Sequence, residues 1–286
     1  MISFREAAAV ILAAGAGSRF GGGKVRAALD GRPLLAHVLA AVREAGIGRV
    51  VVVLGRDARA VLDAVRDDDP TALEQVLVAV NPTPERGLAT SLRLGFGAVT
   101  AVAPAVTPPT GVLVLLGDQP RVRADVLRDL CGGAASAHAI AVVPRYAGDA
   151  TPNPVLLLPA GWPLVAGLTG DRGLGPLLAA DPARVVRVAV PGANPDVDTP
   201  ADLAVLAAVA NPAAPPGPGT VHSANPTRVG QPAWEGIILV DPVCGMSVEP
   251  ADVRHITDHE GQTYAFCCAG CRTRFANNPA RYLALA

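Results

Sequence analysis

The sequence predicts an α/β fold in which a mostly parallel sheet carries helices on both faces, followed by a small cysteine-containing module. Three observations predict it. Continuous β-branched or leucine-rich runs alternate with helix-length stretches up to about residue 209, and runs without polar alternation mark strands buried on both faces. Residues 211–232 then contain six prolines and no periodic apolar pattern, which reads as a linker. Beyond it, residues 240–286 hold four of the five cysteines and four of the ten aromatic residues. The sheet reads as Rossmann-like, with boundaries of 1–209 for the large domain, 210–236 for the linker and 237–286 for the small module.

Each element has its own signal. "AVILAAG" (9–15) is a buried first strand that runs directly into a glycine loop. A helix over 33–45 follows, with Pro33 suited to its first position. Strands at 49–55 ("RVVVVLG"), 75–80 ("QVLVAV") and within 111–120 ("GVLVLLGDQP") alternate with helices at 57–66, 90–98 and 123–131. Later strands are expected at 139–143, 153–158 and 184–190, and a last helix follows "DTPADL" with Thr199 as N-cap. In the module, "VRHITDHEGQTYAF" reads as a hairpin turning at Gly261, and "CCAGCRTRFANN" as a helix ending at Asn278 before Pro279.

Composition narrows the function. Half of the 286 residues are hydrophobic but only 3% are aromatic, so the core is built from Ala, Val and Leu. The formal net charge of −1, without a basic stripe, gives no argument for nucleic acid. No apolar run approaches the ~20 residues that a membrane helix needs. Arg5 before "AAAVILAAGAG" superficially resembles a signal peptide, but Glu6 stands beside it and the run enters a cationic loop. A buried strand and a cytoplasmic protein are the expectation.

The chemistry starts in "VILAAGAGSRFGGGK" (Val10–Lys24), a strand opening into a loop with five glycines. Of 24 basic residues, 23 are arginine, and the single lysine, Lys24, closes this loop. Glycine brings backbone N–H groups close to an anion, so the loop reads as a phosphate cradle, with a ligand-free tight turn as the competing reading. A P-loop is a poor fit, because Ser18 takes its first glycine position and Val25 follows the lysine. A dinucleotide fingerprint needs glycine where Phe20 stands and an acidic residue near Gly55–Arg56. Asp118 follows a buried strand at the carboxyl end of the sheet, where open α/β folds bind ligands and a carboxylate can hold Mg²⁺ against phosphates. A plain turn aspartate before Gln-Pro competes with that role. Asp198 is the candidate second carboxylate, with Asp196 as its competitor and a helix-start charge as the alternative. His37 reads as a packed or surface helical residue, Cys131 as a small buried one, and "DDD" (67–69) as a solvated turn.

The loop "LAAGAGSRFGGGK" closely resembles the signature of the MobA-like nucleotidyltransferases, and the resemblance covers about 200 residues. "GRPLLAHVLAAV" follows the loop as in that family, and "ERGLATSLRLG" (85–95), "LLGDQP" (115–120), "NPVLL" (153–157) and "DVDTPADL" (196–203) are similar to its later motifs. The LAAG and NPVL forms look most like the molybdenum cofactor cytidylyltransferase branch. The resemblance implies nucleotide binding by Leu12, Ala13, Ala14, Gly15, Gly17, Gly87 and Ser91, and catalysis by Arg19, Lys24 and Asp118. Mg²⁺ would lie on Asp118 and Asp198, and the acceptor against Asn153, Pro154, Asp171 and Arg172. The implied substrates are CTP and the molybdopterin cofactor, with a molybdenum hydroxylase apo-enzyme as a possible recipient. One departure concerns the acceptor: "GDRGLGPLL" (170–178) puts Leu174 and Gly175 where the family commonly has Ala-Arg, with Arg172 close enough to substitute. Another phosphorylated acceptor, such as a sugar phosphate, and a non-catalytic cofactor or metal chaperone are the alternatives.

The tail from "DPVCGM" through "YAFCCAGCRTRF" to "PARY" resembles the YHS domain over roughly 45 residues. At ~100° per residue, Cys267, Cys268 and Cys271 on a helix fall within about a third of a turn. Cys244 joins them from the knuckle before the hairpin, giving a thiolate set suited to zinc or copper(I). A disulfide and plain reduced cysteines are the alternatives. His255 and His259 are further ligand candidates, expected to be exposed as hairpin residues.

Overall fold

The computed structural model describes residues 6–100, 108–133, 138–146, 152–208, 238–243, 247–248, 255–259 and 262–283. Strand β1 (Ala7–Ala13) leads through 3₁₀ turns at Ser18–Phe20 and Lys24–Arg26 to a two-residue ribbon, β2 (Ala28–Leu29) and β3 (Arg32–Pro33). Helix α1 (Leu34–Ala45), β4 (Arg49–Leu54), α2 (Ala58–Asp68), β5 (Val76–Val80), α3 (Leu88–Thr100) and β6 (Gly111–Leu116) complete the first half. Helix α4 (Ala124–Gly132), β7 (Ala141–Arg145), β8 (Val155–Leu157), α5 (Pro163–Ala166), α6 (Gly175–Ala180), β9 (Val185–Ala189) and α7 (Pro200–Ala208) follow. The small module contributes β10 (Ile238–Val240), β11 (Ser247–Val248), β12 (His255–His259), β13 (Gln262–Phe266), α8 (Ala269–Asn277) and α9 (Pro279–Leu283). The expected linker lies outside the described residues.

The large sheet runs β11-β10-β5-β4-β1-β6-β8-β7-β9. Within its first seven strands by sequence, β8 alone is antiparallel to its neighbours, β6 and β7. Successive residues of β1 serve opposite faces. Ala7, Ala9, Ile11 and Ala13 join a core with the buried faces of α1, α2 and α4, whereas Ala8, Val10 and Leu12 join one with α3, α5 and α6. The strand is fully buried because both faces are covered, as a run without polar alternation predicts.

Close packing on the second face depends on Gly95. A Cβ there would stand 2.5 Å from Val10 Cγ1 and 2.6 Å from Val53 Cγ2, so α3 lies directly on β1 and β4. The sequence places Pro33 inside α1, but it precedes the helix and pairs with Ala28 in the ribbon. His37 is a packed residue whose ring Nε2 meets the Leu29 carbonyl at 2.9 Å; burial pushes its pKa down. Cys131 is buried, which pushes its thiol up to about 11. The "DDD" segment is not a solvated turn: Asp68 pairs with Arg32 at 2.9 Å and Asp69 with Arg43 at 2.9 Å where α2 ends.

The small module is joined to the large sheet. Strand β10 extends it by parallel pairing with β5 (Ile238↔Leu77, Leu239↔Val78), and β11 pairs antiparallel with β10. Asp241, fully buried, accepts hydrogen bonds from the backbone of Val243 (2.8 Å) and Cys267 (2.9 Å), fastening the strand end to the cysteine segment. The hairpin β12–β13 and α8 enclose Tyr264, Phe266, Cys271 and Phe275.

Replacing Gly95 with valine should destabilise the protein by about 1–3 kcal/mol through overpacking between α3 and the sheet. Urea unfolding of Gly95→Val against wild type measures this, and equal midpoints would contradict it.

Candidate functional site

The site is built at the carboxyl ends of β1 and β6. Where β1 ends, Leu12, Ala13 and Ala14 are buried and Gly15 is exposed. The chain then turns through Gly17, Gly21, Gly22 and Gly23, all with φ between 58° and 94°. Such left-handed backbone is readily open to glycine alone. A Cβ on Gly17 would also press on the Lys24 stem at 3.0 Å. The glycines therefore fold the loop back and deliver Lys24 to the sheet.

Lys24 enters a cluster of carboxylates. Its Nζ lies 2.5 Å from Asp118 Oδ2 and 3.0 Å from Asp198 Oδ1, and its side chain is only 12% exposed. Burial pushes the ammonium pKa down, but the two carboxylates outweigh that and the net shift is upward. Arg19, well exposed, reaches Asp198 Oδ2 at 3.5 Å. Asp198 arrives beside Asp118 because Val197 N–H donates to the Asp118 carbonyl at 3.1 Å. Asp202 then accepts from the backbone N–H groups of Asp198 (3.1 Å) and Thr199 (2.7 Å), while Thr199 Oγ1 accepts from Asp202 N–H at 3.2 Å. This reciprocal capping box begins α7 and fixes the segment that carries Asp198.

A buried polar network backs the carboxylates. Gln119 Nε2 donates to Asp196 Oδ1 at 2.7 Å, and Asn194 Nδ2 donates to Gln119 Oε1 at 3.1 Å. Asp196 is thus turned toward Gln119, while Asp198 is turned toward Lys24. Burial, reinforced by the nearby charge of Asp118, raises the Asp196 pKa. Asp118 Oδ1 is buried and has no hydrogen-bond partner. Two carboxylates held on one cation, one of them with an unpartnered oxygen, are a donor set that a hard divalent cation fits.

The segments expected to bind nucleotide and acceptor meet just ahead of α3. Gly87 has φ +100° and packs so tightly on the 170s loop that a Cβ would lie 2.2 Å from the Gly170 carbonyl carbon. Ala89 N–H donates to Gly170 O at 3.0 Å, and Arg93 Nη1 to Leu168 O at 2.6 Å. Segments expected to hold nucleotide and acceptor are therefore one packed unit. Ser91 is buried, and its hydroxyl accepts from Asn81 Nδ2 at 2.8 Å. Asn153 and Pro154 precede β8, with Pro154 buried, and Asp171 and Arg172 are exposed on the loop beyond Gly170. Leu174, at the departure from the family pattern, is buried in the second core.

Asn81 escaped the sequence reading. It is fully buried at the end of β5, donating to Thr90 Oγ1 and Ser91 Oγ at 2.8 Å each and accepting from Thr83 N–H at 2.9 Å. Its signal was an asparagine before proline at a strand's carboxyl end, where ligands gather in this architecture. Gln119 and Asn194 were missed for a related reason, their partners being distant in sequence.

In the small module, one ligand-donor sulfur from each of Cys267, Cys268 and Cys271 lies within 4.8 Å of the others. The expected helix starts later than the sequence suggests: Cys268 is its extended N-cap, its Sγ accepting from Cys271 N–H at 3.4 Å, and Cys267 precedes it. The cysteines converge because a turn, not one helical face, presents them. Cys244 lies outside the described residues. His255 and His259 are half-buried rather than exposed, and the His259 ring meets Phe275 edge-on at 5.9 Å.

A family profile described as the MobA-like NTP transferase domain matches residues 9–188. The chain belongs to that family. A YHS domain profile matches residues 239–286. Among solved structures, this MobA-like chain is similar to Rv0371c from Mycobacterium tuberculosis H37Rv, with 30% identity, a TM-score of 0.59, and coverage of 72% of this chain and 100% of that one. The Rv0371c homolog from Mycobacterium sp. strain JC1 is 29% identical with a TM-score of 0.60, covering 71% of this chain and 96% of that one. Among curated relatives, the bifunctional protein GlmU of Nitrosococcus oceani is 36% identical over 124 residues, 42% of this chain and 24% of that protein. The chain spans about a quarter of the length of the curated relatives it matches. Among the described residues, no helix is long and apolar enough to cross a membrane.

Truncating Asn81 to alanine strips the buried Ser91 hydroxyl and the Thr83 N–H of their partner, which should cost about 1–3 kcal/mol. Thermal melting of Asn81→Ala should show a clear drop; an unchanged midpoint would contradict the structural role.

Proposed function

We propose that the protein is a divalent-cation-dependent nucleotidyltransferase that moves CMP from CTP to the phosphate of a molybdopterin cofactor. The observation that carries the reading is Lys24, the single lysine, held by a glycine loop against Asp118 and Asp198. In the reaction, an acceptor phosphate oxygen attacks the α-phosphorus of the triphosphate. The bond to the β-phosphate oxygen breaks, and pyrophosphate leaves with that electron pair. No covalent enzyme intermediate is needed, so the protein positions the reactants and neutralises developing charge. Lys24 and Arg19 hold the departing phosphates, with the loop backbone from Gly15 to Gly23 lining the rest. Asp118 and Asp198 would hold Mg²⁺, which supplies Lewis-acid polarisation of phosphate oxygens when bound. A manganese complex of Rv0371C, 28% identical with a TM-score of 0.55, agrees with a divalent cation in this family.

Asp171 and Arg172 are exposed on the loop beyond Gly170, and Arg172 is the residue assigned to the anionic acceptor. A second reading, transfer to another phosphorylated acceptor such as a sugar phosphate, is favoured by Gly175, which offers no side chain where the family commonly presents the arginine of Ala-Arg. The small module contributes a metal site. Zinc bound by thiolates at ~2.3 Å in a tetrahedron spaces its sulfurs by roughly 3.8 Å. Cys267 Sγ and Cys271 Sγ are 3.8 Å apart. Zinc or copper(I) on Cys267, Cys268 and Cys271, completed by Cys244, is the assignment, with a molybdenum hydroxylase apo-enzyme as the proposed recipient of the finished cofactor.

Binding of CTP, GTP, UTP and ATP with Mg²⁺ to the full chain tests the nucleotide assignment. CTP should bind most tightly, and Lys24→Ala should weaken it about 10–100-fold, as loss of a charge-assisted contact predicts. Preference for GTP or UTP would move the base and acceptor assignments. An unchanged affinity in the variant would contradict the role of Lys24.

A further inference from the structure

Resting on the reading of Asp118 and Asp198 as a cation site, we propose that Lys24 is an internal counter-ion holding that site before nucleotide arrives. The ammonium stands where the divalent cation will stand, and leaves for the triphosphate as the cation enters with it. The nucleotide-free protein therefore resists a free divalent cation, and metal and nucleotide bind as one cooperative event.

Geometry carries the inference. Nζ lies 2.5 Å from one Asp118 oxygen and 3.0 Å from one Asp198 oxygen, so the ammonium bridges the pair as a small cation does. Magnesium approaches carboxylate oxygens to 2.0–2.1 Å. An ion binding the same two oxygens would meet the ammonium at contact distance, with like charges in a largely buried place. The site holds one charge or the other. Asp118, Asp196 and Asp198, with the exposed Asp202 beside them, supply four negative charges, against Lys24 and the exposed Arg19. A divalent cation bridging the two carboxylates while Lys24 stays sets two like charges side by side, whereas moving Lys24 onto a polyphosphate removes that repulsion and places the ammonium against phosphate.

The side chain also suits the task. Lysine is a compact charge on a flexible four-carbon stem that can swing between partners, whereas arginine's planar fork fixes its geometry. In a chain with 23 arginines, the position that needs a retractable cation is the one written as lysine. Gly17 makes room for the stem, since a Cβ there would lie 3.0 Å from Lys24 Cβ.

The test is Mn²⁺ binding to the full, nucleotide-free chain, read by electron paramagnetic resonance of the free ion. Manganese prefers oxygen ligands to thiolates, so the small module does not compete, and Asp118→Asn serves as the control. Lys24→Met and Lys24→Gln, each checked for folding by circular dichroism, should bind Mn²⁺ at least about tenfold more tightly than wild type, as removing an adjacent like charge requires. Adding Asp118→Asn to either should abolish the gain. Equal affinity in wild type and the Lys24 variants, lost with Asp118→Asn, overturns the counter-ion while leaving the cation site standing. No Mn²⁺ binding by any Lys24 variant overturns both.

Discussion

Everything around the site serves one contact, the ammonium of Lys24 between the carboxylates of Asp118 and Asp198. Three segments far apart in sequence must arrive together to make it. The glycine loop brings Lys24 back over the end of β1, β6 ends at Asp118, and the backbone bond from Val197 to Asp118 lays the last segment alongside. Asp198 is then held by the capping box at the start of α7. Clustered carboxylates without a cation repel one another, so the lysine makes their convergence tolerable in the nucleotide-free protein.

The module at the end of the chain uses the same sheet. Strand β10 covers the edge of β5, an edge otherwise left with unpaired backbone groups. Because β10 runs parallel to β5, its carboxyl end points to the side of the sheet that carries the glycine loop. Asp241, bonded to Cys267 N–H, sets the cysteine turn on that end. The shared edge gives the thiols a defined position relative to the segment after β5, in which Asn81 is the next residue.

The strands were legible because a strand buried on both faces must be apolar throughout, and β1, β4, β5 and β6 are written that way. Helix α3 begins two residues before the expected 90, since Gly87, with φ +100°, breaks the chain immediately ahead of it. Lys24, Asp118 and Asp198 stood out by residue type and by their place at strand ends. The polar network behind them did not. Asn81, Gln119 and Asn194 are ordinary turn residues until folding supplies partners 9 to 77 positions away. The cysteines were read on one helical face because their spacing permits it, but a thiol can also cap a helix, and Cys268 does. A cap and a helical interior look alike in sequence when the capping side chain is an unusual one.

The most direct test of the central claim is pyrophosphate release by the full chain supplied with CTP, Mg²⁺ and molybdenum cofactor, compared with Asp118→Ala. The account predicts release by the wild type and a loss of at least about 100-fold in the variant, since an acidic residue that holds the catalytic cation supplies several kcal/mol of transition-state stabilisation. Nucleotide binding without any release by the wild type would contradict catalysis at this site and leave a binding protein in its place. Undiminished release by Asp118→Ala would contradict the cluster as its seat.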